Sequence, residues 1–164
     1  MNYYQLEVKL LNIEPSVVRV LRTPGDISLG DLHRLIQNAM PWECSHLHEF
    51  CTMDGDNFGP VEDPFAADGE FGEAYDESTV ILERLLEEEG DRLLYVYDFG
   101  DSWEHLITVE NITVGEKGKR EAVCLSGEGA CPPEDCGGIP GYENLVAAMA
   151  DKKSVRSLIP ERLI

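Results

Sequence analysis

The sequence lacks long hydrophobic runs and has few basic residues. Its apolar stretches are only a few residues long, far short of the ~20 that a membrane-spanning helix needs, so no membrane segment is predicted. Lysine and arginine number 13 against 32 aspartate and glutamate residues, which gives a net charge of −19. Because autonomous nucleic-acid binders cluster Lys and Arg against phosphates, direct nucleic-acid binding is disfavoured. A basic partner protein or a bound cation fits this charge better.

Two further absences concern the cellular compartment. The first five residues contain no basic region followed by an apolar stretch, so no secretory leader is predicted. The five cysteines are an odd number, and without an export signal they indicate reduced thiols rather than a disulfide framework. We therefore expect a cytoplasmic protein. The length of 164 residues and the 43% apolar content are typical of one globular domain covering residues 1–164.

The negative charge is concentrated in the middle of the chain. Residues 54–89 contain thirteen acidic side chains and a single base, Arg84. Within this stretch, residues 54–77 are rich in Gly, Asp, Glu and Pro and show no hydrophobic periodicity. The pattern predicts a long acidic loop at about 54–77.

Hydrophobic periodicity predicts the remaining elements. The predicted strands are Tyr3–Leu11, Val17–Thr23, His46–Met53, Arg92–Tyr97 and Trp103–Val114. Ser28 is placed to cap a helix that ends before Pro41, and a second helix is predicted from Tyr142. Residues 80–89 fit either a short strand or one or two helical turns. The fold class is therefore α+β, with a mixed or mostly antiparallel sheet of five to seven strands, one helix packed across it after strand 2 and another near the C-terminus.

A glycine-bearing turn joins the last two predicted strands. We expect it to bring Asp98, Asp101 and His105 towards one edge of the sheet. Two carboxylates and an imidazole can bind a divalent cation or transfer protons. The alternative is structural: the carboxylates accept hydrogen bonds from turn amides, Trp103 lies in the core, and the histidine is hydrogen-bonded within the sheet.

Cysteine and histidine suggest two other metal-binding patterns. Cys131 and Cys136 stand at the loose end of zinc-ligand spacing, and Cys124 with a histidine could complete four ligands. These thiols could equally be small buried hydrophobic groups. On a strand, His46 and His48 would share a face, which fits either a metal-binding edge or ordinary polar alternation.

Several of these strings together resemble a known family. They are Ser45–Phe50, Tyr97–His105, Cys124–Gly127, Cys131–Asp135, Gly137–Gly138 and Gly141–Tyr142. In this order, and over about Tyr3 to Met149, the sequence is similar to the plasmid pRiA4b Orf3-like family. The resemblance implies a family of unknown function found on plasmids and near mobile elements. Some members are labelled transposon resolvases, but that role needs a nucleophile and a basic DNA-binding face, and the sequence shows no such face.

The sequence departs from the family pattern in two places. Val17-Val18-Arg19 stands where the family usually has an Ile-Trp-Arg type of string, so a tryptophan contact is missing. Cys136 occupies a position where the family also accepts valine, which weakens it as a metal ligand. The better cluster is then formed by Asp98, Asp101, His105, Glu134 and Asp135.

These patterns lead to three hypotheses. The first is a non-enzymatic binding or adaptor domain, in which the proline–glycine segment at 131–138 folds back over the turn at 98–105. The candidate surface comprises His46, His48, Tyr97, Asp98, Asp101, Trp103, His105, Glu134, Asp135 and Tyr142. The second is a metal-dependent hydrolase, with Asp98, Asp101 and Glu134 or Asp135 holding a divalent ion and His105 or His48 as general base. The third is a structural zinc site formed by the cysteines.

Overall fold

The computed structural model describes residues 1–61, 74–115 and 120–151. Its strands are β1 Asn2–Leu10, β2 Val18–Pro24, β3 His48–Thr52, β4 Asn57–Gly59, β5 Tyr75–Asp76, β6 Arg92–Tyr97, β7 Trp103–Val114 and β8 Val123–Glu128. Its helices are α1 Leu29–Ala39 and α2 Gly138–Ala150, with a 3₁₀ turn at Leu82–Arg84. No helix among these residues is both long and apolar enough to cross a membrane.

The strands form one mixed sheet in the order β5-β4-β3-β6-β7-β1-β2-β8. All neighbouring pairs are antiparallel except β4 and β5, which are parallel. The predicted α+β class is therefore confirmed, but the predicted count of five to seven strands was too low, since the sheet has eight. In register, Tyr97 lies between His48 on β3 and Trp103 on β7. This register brings the end of β6 beside the start of β3.

Helix α1 packs across the sheet on its apolar stripe. Ser28 caps it as predicted, because its side-chain oxygen accepts a hydrogen bond from the backbone N–H of Asp31. Leu29, Leu32 and Ile36 are completely buried and belong to the same core cluster as the inward-facing residues of β1 and β6. The helix that follows strand 2 therefore packs on the sheet through its apolar stripe, as the sequence pattern predicts.

Several predicted boundaries were wrong for identifiable reasons. Two short strands, β4 and β5, lie inside the predicted acidic loop, and with three and two residues they are too short to show periodicity. Strand β8 is exposed along its whole length and so carries no alternating pattern. For residues 80–89, where the sequence left a short strand or one or two helical turns open, the structure has a 3₁₀ turn at Leu82–Arg84, so the second alternative is the correct one. Helix α2 begins at Gly138, four residues before the predicted start. Residues 62–73 of the predicted loop lie outside the described residues.

Candidate functional site

The hairpin between β6 and β7 has a tightly hydrogen-bonded tip. Asp98 Oδ1 accepts hydrogen bonds from the backbone N–H groups of Gly100 (3.0 Å) and Asp101 (3.3 Å). Asp98 itself has a left-handed backbone (φ 58°), which Asp tolerates better than most residues. Its own N–H donates to the carbonyl of Leu47 at 2.9 Å. These bonds occupy one carboxylate oxygen and leave Oδ2 directed away from the turn.

The segment before α2 lies against this tip, as the sequence predicted. Trp42, which follows α1, donates from Nε1 to the carbonyl of Pro132 at 2.8 Å. Tyr142 on α2 donates its hydroxyl proton to the carbonyl of Ala130 at 2.8 Å. Both aromatic side chains are buried in the core cluster, so the segment is attached at each end to packed parts of the fold.

Glu134 is oriented by groups from two other parts of the chain. The Tyr97 hydroxyl donates to Glu134 Oε1 at 2.8 Å, and the backbone N–H of Glu43 donates to the same oxygen at 3.0 Å. The Tyr97 oxygen in turn accepts from the backbone N–H of Ser45 at 3.2 Å. One oxygen of Glu134 is thus held by these donors, and the other faces His46.

Three carboxylates converge on the imidazole of His46. Its Nε2 lies 2.8 Å from Asp135 Oδ1 and 3.6 Å from both Asp98 Oδ2 and Glu134 Oε2. Ligand atoms of His46, Asp98 and Asp135 all lie within 4.8 Å of one another. We call the four side chains His46, Asp98, Glu134 and Asp135 the tip cluster. It reaches solvent, since the Asp135 side chain is 72% exposed.

The electrostatic environment of His46 follows from these neighbours. Partial burial of the ring lowers its pKa, but the carboxylates of Asp98, Asp135 and Glu134 outweigh that effect, so the pKa of His46 is raised above its usual value. The Nε2 atom is buried and makes no hydrogen bond among the described residues. Asp135 Oδ1 is close enough, yet it does not lie along the N–H direction of the ring.

His105 and Trp103 do not belong to the tip cluster, contrary to the expectation that they join the working surface. Trp103 is 1% exposed and lies in the core. His105 is completely buried within β7, where Nδ1 lies 3.2 Å from the carbonyl of Tyr95. Burial lowers the pKa of His105 to about 4, although backbone hydrogen bonds raise it in part. The structural alternative considered for these two residues is the one that the structure adopts.

Asp101 also stands apart from the tip cluster. It lines a neighbouring cleft of about 320 Å³ together with Ser102, Gly137 and Gly138. Its Oδ2 atom is buried and has no hydrogen-bond partner among residues 1–61, 74–115 and 120–151. The segment at 131–138 therefore lies close to the hairpin tip, as predicted, but Asp101 is not among the carboxylates that reach His46.

His48 occupies a different site from His46, because β3 begins at His48 and His46 precedes it in a bend. The predicted strand face shared by the two histidines was therefore wrong. His48 stacks on His33 of α1 with ring centroids 3.5 Å apart, and its Nε2 lies 2.7 Å from Glu77 Oε2. Burial, followed by the neighbouring His48, lowers the pKa of His33 to about 3. Sequence reasoning missed this network, because Glu77 lies in a stretch without periodicity.

The cysteines do not come together in a ligand set. Cys124 is exposed on the edge strand β8, whereas Cys131 and Cys136 are half-buried against the core. Burial raises the pKa of Cys131 to about 12 and also raises that of Cys136, so both thiols stay protonated and are poor metal ligands at neutral pH. Among the described residues, no group of three possible metal ligands includes a cysteine. The arrangement gives no support to the hypothesis of a structural zinc site formed by the cysteines.

Comparison with known proteins identifies the family. Residues 2–158 match the family model described as Plasmid pRiA4b ORF-3-like protein. The chain belongs to this family. It is 39% identical over 149 residues to the uncharacterized protein y4hQ of Sinorhizobium fredii, covering 90% of this chain and 73% of that protein. A crystal structure of the protein of unknown function MM3350 from Methanosarcina mazei Go1 superimposes with a TM-score of 0.78 at 32% identity, over 92% of this chain and 83% of that one. Both the family resemblance and the fold are thus confirmed.

Three residues that position the site were not predicted as functional. Trp42 and Glu43 bind the 131–138 segment through Pro132 and Glu134. Arg19 joins the end of α1 to the end of β8, because its guanidinium donates to the carbonyl of Ala39 on α1, to that of Glu128, the last residue of β8, and to that of Gly129 directly after it. The only usable signal was a tryptophan directly after the helix-ending proline, which indicates an anchored rather than a free loop.

Proposed function

We propose that the protein is a non-enzymatic binding domain that holds a cationic ligand at the tip cluster. The observation that carries the proposal is the convergence of Asp98, Glu134 and Asp135 on one imidazole at the end of a rigid hairpin. Polar residues presented on loops by a packed sheet are a common arrangement for binding. The ligand is either a bound metal ion or the basic side chain of a partner protein, since both place a positive charge against the carboxylate oxygens.

Repulsion between the carboxylates of the tip cluster favours the binding of a cation. Ligand oxygens of Asp98 and Asp135 lie within 4.8 Å of each other. At that separation two negative charges repel by roughly 1 kcal/mol in water and roughly 3 kcal/mol at the effective dielectric of a protein surface. Because Asp135 is exposed to water, the repulsion energy lies closer to the lower of these two values, and a protonated His46 offsets part of the repulsion. A cation that enters the cluster removes this repulsion, and the favourable change contributes to its binding.

Two exposed apolar side chains adjoin the cluster. Leu47 follows His46 in the chain and is 56% exposed, while Phe99 follows Asp98 and is 51% exposed. The hydrogen bond from Asp98 to Leu47 keeps the two backbones side by side. Apolar groups beside a charged centre are typical of protein-binding surfaces. This arrangement supports a basic partner protein as one source of the cation.

The hydrolase alternative receives less support from the geometry. It requires a general base beside the ion, and it assigned that role to His105 or His48. His105 is completely buried, and His48 is engaged with Glu77 and His33. A base must be within hydrogen-bond reach of the proton that it takes, and neither ring meets that condition at the tip cluster.

Two wider expectations accompany the proposed binding function. An association with plasmid or mobile-element genes is what the family's name and resemblance imply. A cytoplasmic location is the expectation drawn from the short apolar runs, the lack of a leader pattern and the odd number of cysteines in the sequence. Both stay predictions. Gene neighbourhoods across the family and fractionation of cells that express the tagged protein would test them directly.

Binding of basic peptides tests the proposed function. Fluorescence polarisation would compare peptides with Arg or Lys beside an apolar residue against neutral and acidic peptides of the same length. We expect the basic peptides to bind preferentially, and Glu134→Gln and Asp135→Asn to weaken them, because each variant removes one negative charge with little change of shape. Added salt should weaken the interaction further, as screening requires.

The matched control is Asp54→Asn. Asp54 lies in the turn after β3, at the opposite end of that strand from His48, roughly 15 Å or more from the tip at ~3.3 Å per residue. The variant makes the same change in net charge without touching the cluster, so it should bind like the wild type. The proposed function is contradicted if neither basic peptides nor divalent ions bind in a way that depends on Asp135 or Glu134.

A further inference from the structure

We infer that the tip cluster is a binding site for a divalent first-row transition metal ion such as Zn²⁺, held by His46 Nε2, Asp98 Oδ2 and Asp135 Oδ1. This inference rests on the proposed function and names the cationic ligand of that same site. Glu134 Oε2, 3.6 Å from His46 Nε2, is positioned as a fourth ligand. Exposure of Asp135 leaves one side open to water or to a partner's own ligand.

The spacing of the three atoms matches a shared ion. Metal bonds to imidazole nitrogen and carboxylate oxygen measure about 2.0–2.2 Å, so ligand atoms are about 3.4 Å apart around a tetrahedral ion and at most about 4.2 Å apart on opposite sides of an octahedral one. The three atoms of the cluster all lie within 4.8 Å of one another. Shifts of a few tenths of an ångström, within the freedom of the exposed Asp135 side chain, close them around an ion.

A second observation is independent of the number of acidic groups. Asp98 is only 8% exposed, and its Oδ1 already accepts two backbone N–H groups. Oδ2 points at His46 and accepts no hydrogen bond from the part of the chain that the structure describes. Asp98 is thus a mostly buried carboxylate whose Oδ2 faces the His46 ring at 3.6 Å, and a carboxylate in such surroundings is stabilised by a nearby cation. An ion at this position supplies the missing partner.

The imidazole of His46 also presents a ligand atom without a well-aligned hydrogen-bond partner. His46 Nε2 is buried, and among the described residues its nearest acceptor, Asp135 Oδ1 at 2.8 Å, lies off the direction of a well-aligned hydrogen bond. A ring nitrogen and a carboxylate oxygen that are close together but not aligned for a hydrogen bond are arranged as two ligands of one ion. A neutral imidazole nitrogen offers the lone pair that such an ion requires.

Outer groups fix the ligands, as in established metal sites. Tyr97 and the Glu43 amide hold one oxygen of Glu134 and leave the other facing the centre. The turn amides of Gly100 and Asp101 hold Asp98 in the same way. The nitrogen ligand favours zinc, cobalt or nickel over magnesium and calcium, which prefer oxygen ligands alone.

Titration of the untagged, metal-free protein with Co²⁺ and Zn²⁺ tests the inference. Calorimetry should show one ion per chain, and the visible spectrum of bound Co²⁺ should show nitrogen and oxygen ligation without thiolate charge-transfer bands. Asp98→Asn and Asp135→Asn should each weaken binding by about tenfold or more. Asn tolerates the left-handed backbone of both positions, and the highly exposed Asp135 provides a variant that folds even if Asp98→Asn does not.

Two matched controls and three contrary outcomes complete the design. Asp54→Asn should leave metal affinity unchanged, and Tyr97→Phe should weaken it while Tyr75→Phe, on the exposed edge strand β5, should not. Absence of metal binding, with basic peptides still bound through Asp135, would overturn the metal site and leave the proposed function intact. Thiolate bands with unchanged affinity in Asp135→Asn would overturn it in favour of the cysteines. If neither metal nor peptide binds, both proposals fail.

Discussion

The buried His105 makes the stability of the protein depend on pH in a calculable way. Its Nδ1 faces the carbonyl of Tyr95 at 3.2 Å and can donate to it, while Nε2 is buried and has no hydrogen-bond partner within the described part of the chain. A second proton would therefore enter a site that neither water nor a carboxylate can reach. Burial accordingly lowers the pKa of His105 from 6.5 to about 4.

The sign and size of the effect follow from linkage. Between pH 6.5 and about 4, His105 is protonated in the unfolded chain but stays neutral in the folded chain. The free energy of unfolding therefore falls as the pH falls through this window. From pH 7.5 to pH 5.0, the loss is about 1.4 kcal/mol for each of the 1.5 pH units below 6.5, or about 2 kcal/mol. His33 acts in the same direction and His46 in the opposite one, so the wild-type curve alone does not isolate His105.

The assay is urea unfolding of the wild type and of His105→Asn between pH 5.0 and 7.5, above the sequence pI of 4.4. Asparagine keeps a donor for the Tyr95 carbonyl but does not titrate. The variant should be the less stable protein at pH 7.5, because it leaves a cavity. Its deficit relative to the wild type should shrink by about 2 kcal/mol at pH 5.0. A deficit that stays constant across this range would refute the assignment of His105 as a neutral buried base.

Two other predictions concern the packing around the site. Trp42→Phe keeps an aromatic ring but loses the bond to the Pro132 carbonyl; it should cost about 1–3 kcal/mol and accelerate amide hydrogen exchange in residues 131–138, and unchanged exchange there would count against the anchoring role. Gly141→Ala places a methyl group against the backbone carbonyl of Cys136; despite the higher helix propensity of alanine, it should lower the free energy of unfolding by about 1–3 kcal/mol. Gly30→Ala, where a methyl group has room, is the helical control, and equal stability of the two variants would contradict the clash.

Sequence patterns predicted the parts of the fold that bury one face. Strands β6 and β7 begin and end where alternation begins and ends, and the Ser28 cap with its apolar stripe located α1. The exposed strand β8 and the very short β4 and β5 have no buried face to leave a pattern. Periodicity reports burial, so it cannot find strands that hardly bury anything.

The candidate site was predicted in part. The family strings indicated that Asp98, Glu134 and Asp135 matter, and the stiff segment before α2 indicated that they meet. The position of His46 depended on where β3 starts, and a shift of two residues separated it from His48. Strand ends are the least certain part of any pattern, and a small error there changes which histidine reaches the carboxylates.

The tip cluster draws its members from positions 46, 98 and 134–135, which only the folded chain brings together. An unfolded chain presents the same side chains far apart, so any ligand of the cluster binds the native state alone. Binding of the ligand therefore stabilises the whole folded protein. When the free ligand is present at a hundred times its dissociation constant, it adds about 2.7 kcal/mol to the free energy of unfolding. The abundance of the protein in a cell would follow the supply of that ligand, with scarcity exposing the chain to proteolysis.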